Sequence, residues 1–175
     1  MEIITHKTLS KTYCAALSGV DAILVTVETT LAQGIGMCIV GLPDAAVKES
    51  GYKFPNTEIV INMSPADVKK EGSAYDLPIA IGILASYEKI PITKLGDYML
   101  MGELSLDGTV QPVKGVLPMA ILARKLGFKG FIVPRANATE AAVVNNIDVY
   151  GVDCLEEVIA FFDDRTILQP TVVNT

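Results

Sequence analysis

The sequence predicts an α/β fold, an α+β sandwich in which helices pack on a mixed sheet. Two observations carry this. Strand-like segments come first, then a loop running into a helix, then a hairpin, then helix alternating with strand. That order does not suggest a regular doubly wound fold. Half of the 175 residues are hydrophobic and 19% are charged, the composition of one buried, globular domain with a sizeable core.

The elements follow in order. Ala22 to Thr29 alternates as a half-buried strand, with Ile23, Val25 and Val27 on one side and Leu24, Thr26 and Glu28 on the other. Met37 to Leu42 is a short apolar run ended by Pro43, read as a central strand. Asp44 to Ser50 starts like a helix with Asp44 as N-cap and stops at Gly51. Glu58 to Met63 alternates as a strand.

The charged run Lys69-Lys70-Glu71-Gly72-Ser73 then leads into an apolar helix ending near Tyr87. Proline is tolerated in a helix's first turn but clashes deeper in. This sets Asp76 as N-cap, with Pro78 in the first turn. The helix is apolar nearly all round, so it is expected to be buried on more than one side. Its N-terminus gathers unpaired N–H groups and a positive dipole, a place suited to anions or reactive groups.

Tyr98 to Val113 reads as a hairpin turning at Asp107-Gly108, a two-residue type I′ signal. Gly115 to Leu126 is a helix stopped by Gly127. Phe131 to Val133 is a buried strand ended by Pro134. Asn137 with Glu140 three residues on forms a capping-box pattern for the next helix. Ile147 to Val152 is the last strand and Leu155 to Phe162 the last helix. Residues 1–168 are expected to form a single domain, with 169–175 as tail or linker.

The net charge of −6 argues against a stand-alone module that grips nucleic acid, without excluding one basic edge. Cys14, Cys38 and Cys154 form no metal-type pair or disulfide framework, which fits a reducing cytoplasm. Neither a signal segment nor a transmembrane run is read, so no membrane is expected. His6 is the single histidine, so histidine-based metal or triad chemistry has almost nothing to use. No G-x-x-x-x-G-K-[ST] phosphate loop occurs.

Four stretches carry a resemblance: Val40 to Ser50, Lys69 to Ala80, Gly102 to Met119, and Gly127 to Pro134. In this order they resemble the N-terminal domain of the magnesium-chelatase-like AAA+ ATPases, the group containing the competence protein ComM. The resemblance implies a ChlI-type, Lon-protease-like domain on the ribosomal protein S5 domain 2 fold. It further implies an AAA+ module in the same polypeptide, assembly as a hexamer, and ATP-driven DNA remodelling in recombination or transformation. ATP and Mg²⁺ are expected only in that module, with no cofactor or metal in this domain. DNA is a candidate partner. The family continues after Lys-Glu-Ser with a basic helical segment, whereas here Ser50 meets Gly51 directly.

Lon-type peptidases use a Ser-Lys dyad, the serine at a helix mouth and a neutral lysine taking its proton. Laid on that pattern, the nucleophile position falls on Ala74 and the lysine position on Leu117. Alanine offers no nucleophile and leucine no base, so the domain is expected to be non-catalytic.

Ser73 and Lys114 lie one and three residues from those positions and define the alternative, a residual hydrolase using Ser73 with Lys114 or Lys70. A one-residue shift turns a helical side chain by about 100°, which opposes it. The plain reading makes Ser73 a loop residue bonding local backbone and Lys114 a solvated charge at the hairpin's end. Lys69, Lys70 and Glu71 read as a solvated loop or as a basic lip for nucleic acid or a neighbouring subunit. Asp76 and Glu103 read as cap and strand residues, or as a carboxylate pair for acid–base work or Mg²⁺. Met99, Met101 and Met119 read as core filler. Metal insertion into a porphyrin has no support, because no histidine cluster exists.

Overall fold

The computed structural model describes residues 7–32, 58–66 and 72–173. The strand expected at Met37 to Leu42, the helix expected at Asp44 to Ser50, and Lys69, Lys70 and Glu71 lie outside the described residues.

Eight described strands form two sheets. They are β1 (Lys7–Ser18), β2 (Asp21–Ala32), β3 (Glu58–Ser64), β4 (Tyr98–Leu100), β5 (Glu103–Leu104), β6 (Val110–Gln111), β7 (Gly130–Pro134) and β8 (Asp148–Val152). Four described helices accompany them: α1 (Asp76–Ser86), α2 (Val116–Lys125), α3 (Arg135–Ala142) and α4 (Leu155–Phe162). The main sheet has the order β3-β2-β1-β4-β7-β8, and β5 pairs with β6 apart from it. Antiparallel β1, β2 and β3 adjoin parallel β4, β7 and β8, so the sheet is mixed as the sequence predicts.

The parallel strands are short, and β7 is buried at every position. Leu100 and Ile132 face a core shared with α1 and α4. Met99, Met101, Phe131 and Val133 face a second core with α2 and α3. The period-2 alternation of a strand thus feeds two cores, one on each side of the sheet. The three methionines are core filler, all nearly or wholly buried.

The sequence gives β1 no strand signal, and its inward face explains this. Ser10 and Thr12 are buried, and their hydroxyls donate to the carbonyls of Gly82 (2.7 Å) and Pro78 (2.8 Å) in α1. A strand that buries hydroxyls does not show apolar alternation. Gly82 permits this approach: a Cβ there would lie 2.8 Å from Thr29 Oγ1. α1 is buried at all positions except Ile79, and Pro78 sits in its first turn, both as expected.

Two other expectations are corrected. The β5–β6 turn is not a two-residue loop. Gly108 N–H donates to Ser105 O, Ser105 N–H to Thr109 O, and Gly108 has φ +88°. That is a three-residue loop closed by a left-handed glycine. Tyr98 to Leu100 belongs to the main sheet, so the hairpin is shorter than its predicted span. α3 begins at Arg135, and Asn137 does not cap it. Beyond α4, Leu168 is buried and Thr171 N–H donates to Val149 O at 2.7 Å. No described helix is long and apolar enough to cross a membrane.

Candidate functional site

The two motif stretches are joined through backbone. After Gly72, a single 3-10 turn (Ser73–Tyr75) leads into α1. Gly102, just beyond β4, donates its N–H to Ala74 O (3.0 Å) and accepts from Leu77 N–H (2.9 Å). Met101 N–H meanwhile donates to Ile132 O (3.0 Å), fixing this stretch to the sheet. Gly102 has no room for a side chain, because a Cβ would lie 2.9 Å from Val110 Cγ1 and 3.4 Å from Leu77 Cβ.

These bonds close the N-terminus of α1. Asp76 N–H donates to Ser73 O, Leu77 N–H to Gly102 O, and Pro78 has none to offer. The Asp76 and Leu77 donors of the helix's first turn are therefore already used.

Asp76 is also corrected. It has helical backbone angles and Tyr75 stands at the cap, so Asp76 is the first helical residue. Its Oδ2 accepts from Leu104 N–H at 3.0 Å, across to β5. The carboxyl is 6% exposed. Burial pushes its pKa up from 3.8 to about 6; the Leu104 N–H pulls the other way, and the nearby Glu103 charge adds to the rise.

Above this junction lies an open cavity of about 460 Å³. Ser73, Ala74, Glu103 and Lys114 line it, over a floor that includes Met101 and Met119. The structure thus brings together four of the residues singled out from sequence. Asp76 and Leu117 do not line it; Leu117 is half-buried against the α2 core, as is Ala74. Glu103 and Asp76 do not form a shared pocket pair, since only Glu103 reaches the cavity. Among the described residues, no group of three or more His, Cys, Asp or Glu could hold a metal ion.

Three contributors were missed from sequence. Asn137, buried in α3, clamps the far wall: its Oδ1 accepts from Val113 N–H and its Nδ2 donates to Val113 O, each at 2.9 Å. Leu17 of β1 fills the space beside Gly115, where a Cβ would lie 2.5 Å from Leu17 Cδ1. Tyr75 lines the cavity, and burial pushes its hydroxyl pKa up, with Cys14 adding to the effect. Asn137's partner lies 24 residues away, so no local signal marks its buried role.

Ser73 lines the cavity, and the loop backbone just before Gly72 that it was expected to bond lies outside the described residues. Lys114 is exposed, as expected of a solvated hairpin-end charge. A lysine that takes a serine's proton is one shielded from water.

A mixed sheet with helices on both faces and a loop-to-helix junction sewn to a Gly-Glu hairpin defines a Lon-like α/β domain. Residues 27–137 match the family described as subunit ChlI of Mg-chelatase, and the chain belongs to that family. It is 39% identical over 173 residues to YifB of Escherichia coli, covering 92% of this chain and 34% of that protein. It is 38% identical over 169 residues to the competence protein ComM of Haemophilus influenzae, covering 90% and 33%. Over 128 residues it is 31% identical to Lon protease 2 of Bacillus subtilis, covering 73% and 21%. The chain spans about a third of the length of YifB and ComM.

Proposed function

We propose that this chain is a non-hydrolytic, Lon-like accessory domain of a longer magnesium-chelatase-like AAA+ ATPase. Its role is to hold geometry and present contacts within an ATP-driven machine that remodels DNA. The observation that carries this is the closed junction. Ala74 stands where a nucleophile would be, and its carbonyl and the Leu77 N–H are both taken by Gly102. Leu117, at the base position, packs against the core instead of lining the cavity.

The remaining parts follow from the family. ATP and Mg²⁺ belong to the AAA+ module, because this sequence contains no phosphate loop. The module's ring, a hexamer, is the assembly the domain serves, in the cytoplasm. The name of the ComM relative points to competence, hence to DNA uptake and recombination, as the setting.

A second reading has one observation in its favour: Ser73 and Lys114 line the same cavity. It makes the domain a residual Ser-Lys hydrolase, as the Lon relative's name suggests. Hydrolysis of fluorogenic casein by the wild-type chain and by Ser73→Ala separates the two. The accessory reading expects the same background rate from both. Turnover that disappears in Ser73→Ala contradicts it.

A further inference from the structure

The C-terminal end of α2 carries a basic, partly aromatic surface that the cavity does not use. Arg124 and Lys125 occupy its last turn, both exposed and with no ion pair among the described residues. Leu126 is 48% exposed. Gly127 takes φ +83°, and Phe128 N–H donates to Ala123 O, which folds the chain back over the helix end. The Phe128 ring then meets Tyr13 of β1 at 5.7 Å between centroids. Lys11, two residues before Tyr13, shares its side of the strand at about 7 Å along the chain. Lys129 follows Phe128 directly.

Lys11 pairs with Glu28 at 3.7 Å and Lys129 with Asp97 at 3.5 Å. Both are exposed surface pairs of little net strength, so either lysine can exchange its carboxylate for another anion. Arg124 and Lys125 complement the negative helix end. The dipole does not account for Lys11 and Lys129, which lie within two residues of the two rings along the chain. In a chain of net charge −6, this local excess of cations selects an anionic partner.

We propose that this surface contacts single-stranded nucleic acid, with Arg124 and Lys125 on phosphates and the half-buried Tyr13–Phe128 pair as a stacking edge for a base. Cations beside aromatic faces are the arrangement that holds single strands without reading their sequence. The proposal rests on the reading of the domain as a contact module. It moves the contact from the lip at Lys69 and Lys70 to the opposite end of α2 from the cavity.

The test is fluorescence anisotropy of a labelled oligo-dT with this chain from 25 to 200 mM salt. Two phosphate contacts give a log–log salt slope of about −1.4, and all four cations about −2.8. Arg124→Gln/Lys125→Gln is expected to weaken binding at least tenfold at 50 mM salt and to flatten the slope by about 1.4. Arg165→Gln, an exposed cation just after α4 on the other side of the sheet, is expected to bind as wild type does. Absence of wild-type binding overturns the proposal, as does equal binding by the double variant. Equal affinity for a poly-glutamate peptide or for a duplex overturns the single-strand assignment. None of these outcomes touches the casein comparison, so the accessory reading stands or falls separately.

Discussion

Asp76 Oδ2 accepts a hydrogen bond from Leu104 N–H at 3.0 Å, linking the first residue of α1 to β5 inside the protein. This bond and the two at Gly102 make the motif stretches one unit. The carboxyl is held where water barely reaches, with its pKa pushed up to about 6.

A pH dependence follows from that carboxyl. Its folded value lies above its ordinary 3.8, so the folded state binds the proton more tightly. Its stabilising contribution is complete below about pH 4 and is lost as pH rises through about 6. The full difference corresponds to about 3 kcal/mol. Asp76→Asn keeps an oxygen for Leu104 and removes the charge. Urea midpoints of variant and wild type are expected to be close at pH 4. The variant should gain about 1–3 kcal/mol relative to wild type by pH 7. A gap that stays constant with pH contradicts this.

The contact of α1 with the β1–β2 face makes a paired prediction. Alanine is about 1 kcal/mol better than glycine in a helix. At Gly82, however, a Cβ would lie 2.8 Å from buried Thr29 Oγ1, and overpacking costs about 1–3 kcal/mol. Gly82→Ala is therefore expected to lower the urea midpoint despite the better propensity. Among the described residues Thr29 Oγ1 has no hydrogen-bond partner, and an orphaned buried hydroxyl costs about 1–3 kcal/mol. Thr29→Val is expected to raise the midpoint by about 1 kcal/mol.

Asn137 satisfies both backbone groups of Val113 on the cavity wall. Asn137→Ala strips both partners at once and is expected to cost about 1–3 kcal/mol. Hydrogen exchange should show the Val113 amide losing protection well before the core strands do. Asn137→Asp sets a second acceptor against Val113 O and buries a charge, so it should cost at least as much as alanine.

What the sequence revealed depended on where each signal sits. β7 and α1 were legible because they are apolar nearly throughout, and burial on more than one side leaves a long apolar run. β1 was hidden because Ser10 and Thr12 turn hydroxyls inward to helix carbonyls. The turn at Asp107-Gly108 was found, but its length was not, because Gly108 takes positive φ in a three-residue loop as readily as in a two-residue one. Asp76 and Asn137 were misread as caps. Both look like cap residues locally, yet each bonds backbone more than 20 residues away in sequence. Ala74 and Leu117 were placed by motif alone, whereas the cavity joining Ser73, Glu103 and Lys114 needed the three-dimensional path of the hairpin.

The central claim is that the Lon-like site no longer carries out acyl transfer. Intact-mass spectrometry after incubation with a fluorophosphonate probe tests it most directly, because an activated serine is captured covalently even when turnover is slow. The account predicts unmodified mass at pH 7 and at pH 9. A single stoichiometric adduct that maps to Ser73 and vanishes in Lys114→Gln would contradict it.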